Sequence, residues 1–394
     1  MQSKEIIATL KTEDAKSFII KNLNTDLSSL GLTFSGKTTF NITVCLQLMA
    51  IYKKAKDKLP LFVENVLAID SRSYEQATSQ KVAEYKRRFI SGNTLIDLTA
   101  GIGVDSLVLS SNFKRIIAVE RNEELHNLAC YNLEQLRIEN ITRICGHADE
   151  HVTHTADWVY IDPDRRPGEK RAVKLESLEP NVLELLPKLR ENCSKAYIKL
   201  SPLFDLDEVW RVFTDAERIV VLAENNEVKE VGVILNFRSN ISTKTTLLAD
   251  VKTGFSFVNR SDEPKQYLNT TLNERNYLIV PNALLTKSRL AEDYLSRHAL
   301  EKHHDFGYFY SEVSSFDLGF KTFKILEVLS FNANEIKSNL KTIGVDQINI
   351  IIKGLNDKPA KWHDKLKTRD GGNFYLFLFK GRKKEALLAK LISS

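Results

Sequence analysis

The spacing of hydrophobic and polar positions changes twice along the chain. From Asp14 to about Ile69 apolar residues recur at three- and four-residue steps, as in Phe18, Ile19 and Leu23 and then Val44, Leu46, Leu48, Met49 and Tyr52, with Pro60 as a break. One apolar stripe per 3.6 residues predicts a helical N-terminal region, residues 1–80. The stretch 73–86 offers Thr78 or Ser79 as a helix cap and leads directly into the next segment, so its loop is expected over whatever site that segment builds. Between 94 and 237 short β-rich runs (95–98, 115–120, 142–145, 158–162, 196–200, 218–222 and 231–237) alternate with helical stretches. Leu125, Leu128, Ala129 and Leu136 mark one helix; Leu178, Val182, Leu185, Leu186 and Leu189 mark another, in which Pro187 predicts a kink. Such alternation predicts a parallel sheet with helices on both faces, spanning 81–245. Beyond Phe237 the texture turns polar. The remainder, 246–394, predicts a separate α+β unit, with strands at 277–280, 323–329, 348–352 and 374–379 and helices at 284–297, 333–343 and 384–392.

A chain of 394 residues is too long for one ordinary core, and 43% hydrophobic content is enough to fill two or three. The net charge of +5 permits an anionic partner such as RNA without demanding one. Cys45, Cys130, Cys145 and Cys193 form no CxxC pair, which fits a reducing, cytoplasmic setting. Residues 1–11 carry mixed charge, and no later stretch approaches a membrane span, so neither secretion nor membrane insertion is expected. The oligomeric state stays open.

Chemistry concentrates where strands end. Leu95-Ile96-Asp97-Leu98-Thr99-Ala100-Gly101-Ile102-Gly103-Val104-Asp105-Ser106 reads as an apolar strand, a carboxylate, then a glycine turn opening a helix. Gly101 and Gly103 permit positive φ and close approach of a ligand to the main chain; the third glycine of the dinucleotide fingerprint is replaced by Ser106. Glu120 ends the second strand, where it can accept from two ribose hydroxyls, and Asp149 follows the third within Gly146-His147-Ala148-Asp149. Three acids at successive strand ends suit an adenosyl ligand. S-adenosylmethionine, with its ammonium and sulfonium and no pyrophosphate, fits them better than NAD. Asp97 would face the methionine amino end and Asp149 the adenine amino group.

The fourth strand ends in Tyr160-Ile161-Asp162-Pro163-Asp164-Arg165-Arg166-Pro167, the expected acceptor side. Asp162 would orient or deprotonate the nucleophile, Pro163 would set the loop, Arg165 and Arg166 would bind phosphate or carboxylate, and Lys199 would add a cation. The rival reading is a rigid turn whose arginines pair with Asp164 and Glu169. His147, His151 and His154 around Asp149 match no zinc spacing, so no metal is expected. Lys361, His363, Lys365, Lys367 and Arg369, with Lys380, Arg382, Lys383 and Lys384 beside Trp362 and Tyr375, form either an RNA-facing surface or a plain charged face.

At Asp97 to Asp105, Glu120 and Asp162 to Arg166 the chain resembles class I S-adenosylmethionine-dependent methyltransferases, and more narrowly the bacterial ones with a C-terminal THUMP-like domain. Tyr74-Glu75-Gln76-Ala77-Thr78-Ser79, Ile198-Lys199-Leu200-Ser201-Pro202 and Gly371-Gly372-Asn373 carry the likeness further. The resemblance implies a Rossmann-like α/β sheet of seven strands, one antiparallel, with a C-terminal α+β THUMP-like, ferredoxin-like domain through which RNA could be contacted. The expected cofactor-binding set is Gln76, Ser79, Asp97, Thr99, Gly101, Gly103, Asp105, Glu120, Arg121, Ala148, Asp149 and Asp162. Asp164 and Arg165 stand where base-amine methyltransferases carry a second proline and an aromatic, a departure from that arrangement. The expected activity is methyl transfer to an oxygen, nitrogen or carbon acceptor, with RNA favoured over a small molecule or protein. An NAD-dependent oxidoreductase and a non-catalytic RNA-binding protein are the rivals.

Overall fold

The structure is a computed structural model; it describes residues 2–152, 155–165, 174–240, 243–263, 272–296, 298–303, 305–315 and 317–393, with the side chains of 165 and 393 left aside. Two compact units divide the chain. The first comprises Met1–Leu222 with Lys229–Thr245, the second Ala223–Val228 with Thr246–Ser394.

The first unit begins with seven helices: α1 (Ser3–Leu10), α2 (Glu13–Asn22), α3 (Leu27–Phe34), α4 (Ile42–Ala55), α5 (Pro60–Glu64), α6 (Ser71–Gln76) and α7 (Gln80–Lys86). Their starts follow side-chain caps: Asp26, Asn41, Asp70 and Ser79 each accept a backbone N–H of the helix they precede. Pro60 opens α5, where its missing N–H costs nothing.

Seven strands follow: β1 (Gly92–Asp97), β2 (Phe113–Glu120), β3 (Ile141–Cys145), β4 (Ala156–Ile161), β5 (Cys193–Leu200), β6 (Ala216–Glu224) and β7 (Glu227–Asn236). They lie in the order β3-β2-β1-β4-β5-β7-β6 within a sheet that has nine strands among the described residues, two more than the seven expected. β1 is parallel to β2 and β4, β2 to β3 and β4 to β5, whereas β7 runs antiparallel to β5. Helices α8 (Val104–Leu109), α9 (Glu123–Leu136), α10 (Ala148–His151), α11 (Val182–Asn192) and α12 (Leu206–Val212) connect them. Leu95, Ile96, Ala118, Val119, Val159, Ile161, Ala196 and Ile198 are fully shielded, as expected of strands covered on both faces. Pro187 lies inside α11, which continues through it as one helix.

The helical region is tied to α9 by buried polar bonds. Asn132 of α9 donates to the Ala68 carbonyl at 2.9 Å and accepts its N–H at 2.7 Å, and the Tyr131 hydroxyl donates to Leu10 O at 2.9 Å. These satisfy backbone groups that no helix or strand serves. Among the described residues no helix is long and apolar enough to cross a membrane.

In the second unit the hairpin tip Asn225-Asn226 takes φ of 53° and 60°, the pair of positive values a two-residue hairpin loop requires. Strands β8 (Thr245–Asp250) and β9 (Ser256–Arg260) precede the sheet built from β10 (Tyr277–Pro281), β11 (Phe309–Ser311), β12 (Phe320–Leu329), β13 (Asn349–Lys353), β14 (Phe374–Lys380) and β15 (Lys384–Ser393). Its order from β11 is β11-β10-β12-β15-β14-β13. Helices α15 (Ala333–Thr342) and α16 (Pro359–Leu366) bury Ile336, Leu340, Trp362 and Leu366 against Leu376, Leu378, Ala386 and Leu388 of this sheet.

Two expectations fail here. Residues 384–392, expected as a helix, form β15, which pairs antiparallel with both β12 and β14. Ala, Leu, Lys and Glu favour a helix, but Ala386 to Ala389 are buried on alternate faces of a central strand, and packing outweighs propensity. The path from β12 is therefore strand-helix-strand-helix-strand-strand, which departs from the strand-helix-strand-strand-helix-strand path of a ferredoxin-like domain. The helix expected over 284–297 is two short ones, α13 (Ala283–Ser288) and α14 (Ala291–Leu295), because Arg289 adopts φ 59° and ends the first. Arg297 lies outside the described residues.

Candidate functional site

The chain places β2 and β3 on one side of β1, then returns to place β4 on the other, so a crevice opens beyond the carboxyl ends of β1 and β4. β1 ends in Asp97, and the chain turns through Gly101 (φ 52°) and Gly103 (φ 93°) into α8. A Cβ on Gly101 would meet nothing within 4 Å, so glycine is required there by its backbone angle, and that backbone faces open space.

The turn is held on every side. Gly101 N–H donates to Glu120 Oε2 and Asn122 N–H to Glu120 Oε1, both at 2.8 Å. From beneath, Arg143 Nη2 donates to Gly101 O at 2.9 Å. Asp97, 2% exposed, accepts from Thr99 N–H at 3.2 Å and from the Ser106 hydroxyl at 2.5 Å. Burial pushes its carboxyl up to about 7; the Ser106 hydrogen bond opposes this and the nearby Asp105 charge adds to it.

One cavity of about 170 Å³ is lined by the expected Gln76, Asp97, Thr99, Gly101, Gly103, Asp105, Glu120, Arg121 and Asp162, and also by Arg72, Thr78, Leu125 and Tyr160. A second, of about 250 Å³, shares Glu120, Arg121, Asp162 and Asp164 and adds His147, Ala148, Asp149 and Pro180. The shared residues make the two one cleft. Arg121 pairs with Glu179 at its rim.

Ser79 is not among the residues lining either cavity: its hydroxyl accepts from Val82 N–H at 3.4 Å and caps α7. Its neighbour Thr78 faces the cleft instead, because the helix cap commits the Ser79 side chain to the helix axis. Pro163 also lines neither cavity. Lys199 stands behind the wall, donating to Asp162 Oδ2 at 2.6 Å and to Thr78 Oγ1 at 3.0 Å. The Arg165 backbone pairs with Leu178 in a short ribbon. The Arg165 side chain, Arg166 and His154 lie outside the described residues.

The sequence reading missed Lys86, Glu230, Tyr197 and Arg143. Lys86 Nζ is fully buried and reaches Asp105 Oδ1 at 2.8 Å, Glu230 Oε2 at 3.0 Å and the Tyr160 hydroxyl at 2.8 Å. The Tyr197 hydroxyl donates to Glu230 Oε1 at 2.7 Å, and its ring stacks on Tyr160 at 5.3 Å. A signal for Lys86 existed: with Val82 and Ala83 it lies on the buried stripe of α7, where a lysine needs a partner. Burial opposes ionisation of Asp105, but Lys86, then Lys199 and the Thr78 hydrogen bond more than offset it and hold the carboxyl below its ordinary range. Lys199 is driven the other way: burial alone would lower it, and Asp162, Glu230 and Asp105 raise it above the usual lysine value.

Known proteins share this architecture. A crystal structure from Porphyromonas gingivalis W83, provisionally assigned as a methyltransferase, superposes with a TM-score of 0.82 at 23% identity over 100% of this chain and 99% of the other. An uncharacterized S-adenosylmethionine-dependent methyltransferase of Mycobacterium tuberculosis (strain H37Rv) is 23% identical over 303 residues, 75% of this chain and 79% of that one. The ribosomal RNA small subunit methyltransferase J of Rhodopseudomonas palustris is 32% identical over 125 residues, 27% of this chain and 61% of its own. The family described as THUMP domain-like matches residues 320–390. The chain thus shares the fold of a methyltransferase-like structure over its whole length, is similar in sequence to S-adenosylmethionine-dependent methyltransferases, and matches the THUMP domain-like family near its C-terminal end.

Proposed function

We propose that this protein transfers the methyl group of S-adenosylmethionine to RNA, with the cleft beyond β1 and β4 as its active site. The observation that carries the cofactor side is the charge of that cleft. Asp105, Asp162 and Glu230 share two ammonium groups, Lys86 and Lys199, and Asp97 and Glu120 stand at the same edge. The cavity wall carries Asp97, Asp105, Glu120, Asp162 and Asp164 against Arg72 and Arg121, an excess of acidic groups that suits a sulfonium and an ammonium better than a pyrophosphate.

The donor set fits S-adenosylmethionine. Asp97 and Asp105 would hold the amino-acid end, the open backbone at Gly101 would lie along the ligand, and Glu120 would accept from the ribose hydroxyls. Ala148 and Asp149, in the second cavity, would receive the adenine. Gln76, Thr99 and Arg121 complete the wall. The bound cofactor supplies an electrophilic methyl carbon on a positively charged sulfur. The protein's contribution is to align a nucleophile with that carbon and to exclude water, an arrangement that can lower a barrier by several kcal/mol through orientation alone.

On the acceptor side Asp162 is placed by its backbone N–H, which lies 2.6 Å from Thr99 Oγ1, and by Lys199. Its carboxylate would orient the acceptor and take up the proton the acceptor loses. RNA as acceptor is supported by relatives that include ribosomal RNA and tRNA/tmRNA methyltransferases and by the THUMP-like match. Titration calorimetry tests the cofactor reading: S-adenosylmethionine should bind with micromolar affinity and NAD should give no heat. NAD binding without S-adenosylmethionine binding would overturn it.

A further inference from the structure

A continuous polar chain crosses the first unit beneath the cleft. From the Tyr197 hydroxyl it runs through Glu230, Lys86, Asp105, Thr78 and Lys199 to Asp162, with every link between 2.6 and 3.0 Å. Two of its members, Lys86 and Thr78, come from the N-terminal region that precedes β1. Lys86 is the last residue of α7, its side chain is fully buried, and its ammonium lies 5.2 Å from the Tyr160 ring centre and 5.6 Å from that of Tyr197. Gly232 of β7 makes room for this arrangement: a Cβ there would stand 2.0 Å from the Tyr197 hydroxyl. Glu230 and Lys86 are 144 residues apart in sequence, so this contact is a product of the whole fold.

Lys86 donates to Glu230 and to the Tyr160 hydroxyl and forms an ion pair with Asp105, and a buried arrangement of this kind is costly to desolvate. Two of the partners, Asp105 and Tyr160, also line the cavity. Lys86 itself does not line it, so any effect on the ligand passes through Asp105 or Tyr160, and of the two Asp105 is the one that brings a carboxylate.

We propose that Lys86 is a positioning residue for the cofactor, acting through Asp105, whose carboxylate it pairs with at 2.8 Å and holds in place on the cavity wall. The proposal rests on the methyltransferase reading of that cleft. The consequence is that residues 71–86 form part of the cofactor site, although β1 and its glycine turn carry the recognisable motif. Groups facing Asp105 are Lys86 from α7, Thr78 from the preceding loop, Asp97 from β1, Tyr160 from β4, Lys199 and Tyr197 from β5 and Glu230 from β7. Of the two cations among them, Lys86 acts most strongly on Asp105. Without it, burial is left opposed by Lys199 and Thr78 alone, and the Asp105 carboxyl rises toward neutrality.

The test is calorimetric binding of S-adenosylmethionine to the full chain across pH, for wild type, Lys86→Met, Lys86→Arg, Asp105→Asn and the Lys86→Met/Asp105→Asn double variant. Asp97 contributes its own pH dependence to every variant, so each is compared with wild type at the same pH. Lys86→Met is expected to weaken binding about tenfold or more at the low end of the pH range and by less at the high end, as Asp105 regains its charge. Lys86→Arg should restore most of the affinity at the lower pH. In the Asp105→Asn background, Lys86→Met should change affinity by less than about twofold, the non-additivity expected of residues acting as one unit. Where Lys86→Met alone does not fold, Lys86→Met/Glu230→Gln removes both halves of the ion pair and carries the same expectation. A wild-type pH profile in the methionine variants, or additive effects of the two substitutions, overturns the proposal. Absence of binding by the wild-type protein overturns the methyltransferase reading itself, and the proposal with it.

Discussion

Asp97 gives the most quantitative prediction. Its carboxyl is pushed from an ordinary 3.8 up to about 7, chiefly by burial, so the fold favours the protonated acid. Because the folded value lies above the unfolded one, the stabilisation is fully present below about pH 4 and is lost as pH rises through about 7. A shift of about three units corresponds to roughly 4 kcal/mol, and with Asp97 2% exposed no large discount for solvent applies. Asp97→Asn keeps the shape and removes the titration. The difference in unfolding free energy between variant and wild type should therefore grow in favour of Asn by about 1.4 kcal/mol per pH unit between about pH 4 and 7, then level off. Urea denaturation at a series of pH values measures it. Cofactor binding supplies the counterpart: a cationic ligand favours the ionised acid, so binding near neutral pH should release a fraction of a proton and tighten as pH rises. Calorimetry in buffers of different ionisation enthalpy reads that proton directly. A pH-independent difference between the two proteins, together with no proton release, would refute the placement of a buried, titrating Asp97 in the cofactor site.

Other predictions follow from single contacts. Glu120→Ala removes an acceptor serving two backbone N–H groups of the turn as well as the proposed ribose contact, and should weaken S-adenosylmethionine binding about tenfold or more by calorimetry. Asp162→Ala should leave cofactor affinity within about threefold while abolishing turnover; surviving turnover would show that Asp162 takes no part in the chemistry. Asn132→Ala leaves both polar groups of Ala68 buried without partners and should cost about 2 kcal/mol in thermal or urea unfolding.

What the sequence made legible was whatever short-range pattern encodes. Asp97, Gly101, Gly103 and Glu120 could be read because strand ends and glycine turns are local, and those residues meet in the structure at one cavity. Thr78 and Ser79 differ by one position, and only the cap geometry shows which of them turns inward. Lys86, Glu230 and Tyr197 were out of reach because their meaning lies in pairs more than thirty residues apart, and a lone charge in an apolar run does not name its partner. β15 was misread for the opposite reason: Lys384 to Ile392 has a clear local preference, and its place between β12 and β14 overrides it.

The measurement closest to the central claim is methyl transfer itself. Purified protein would be incubated with methyl-labelled S-adenosylmethionine and RNA from cells lacking the gene, beside the Asp162→Ala variant, and the RNA digested to nucleosides for mass spectrometry. The account predicts label in one methylated nucleoside with the wild-type protein and none with the variant. Bound cofactor with no labelled nucleoside, and label instead in protein or small molecules, would contradict RNA as the acceptor.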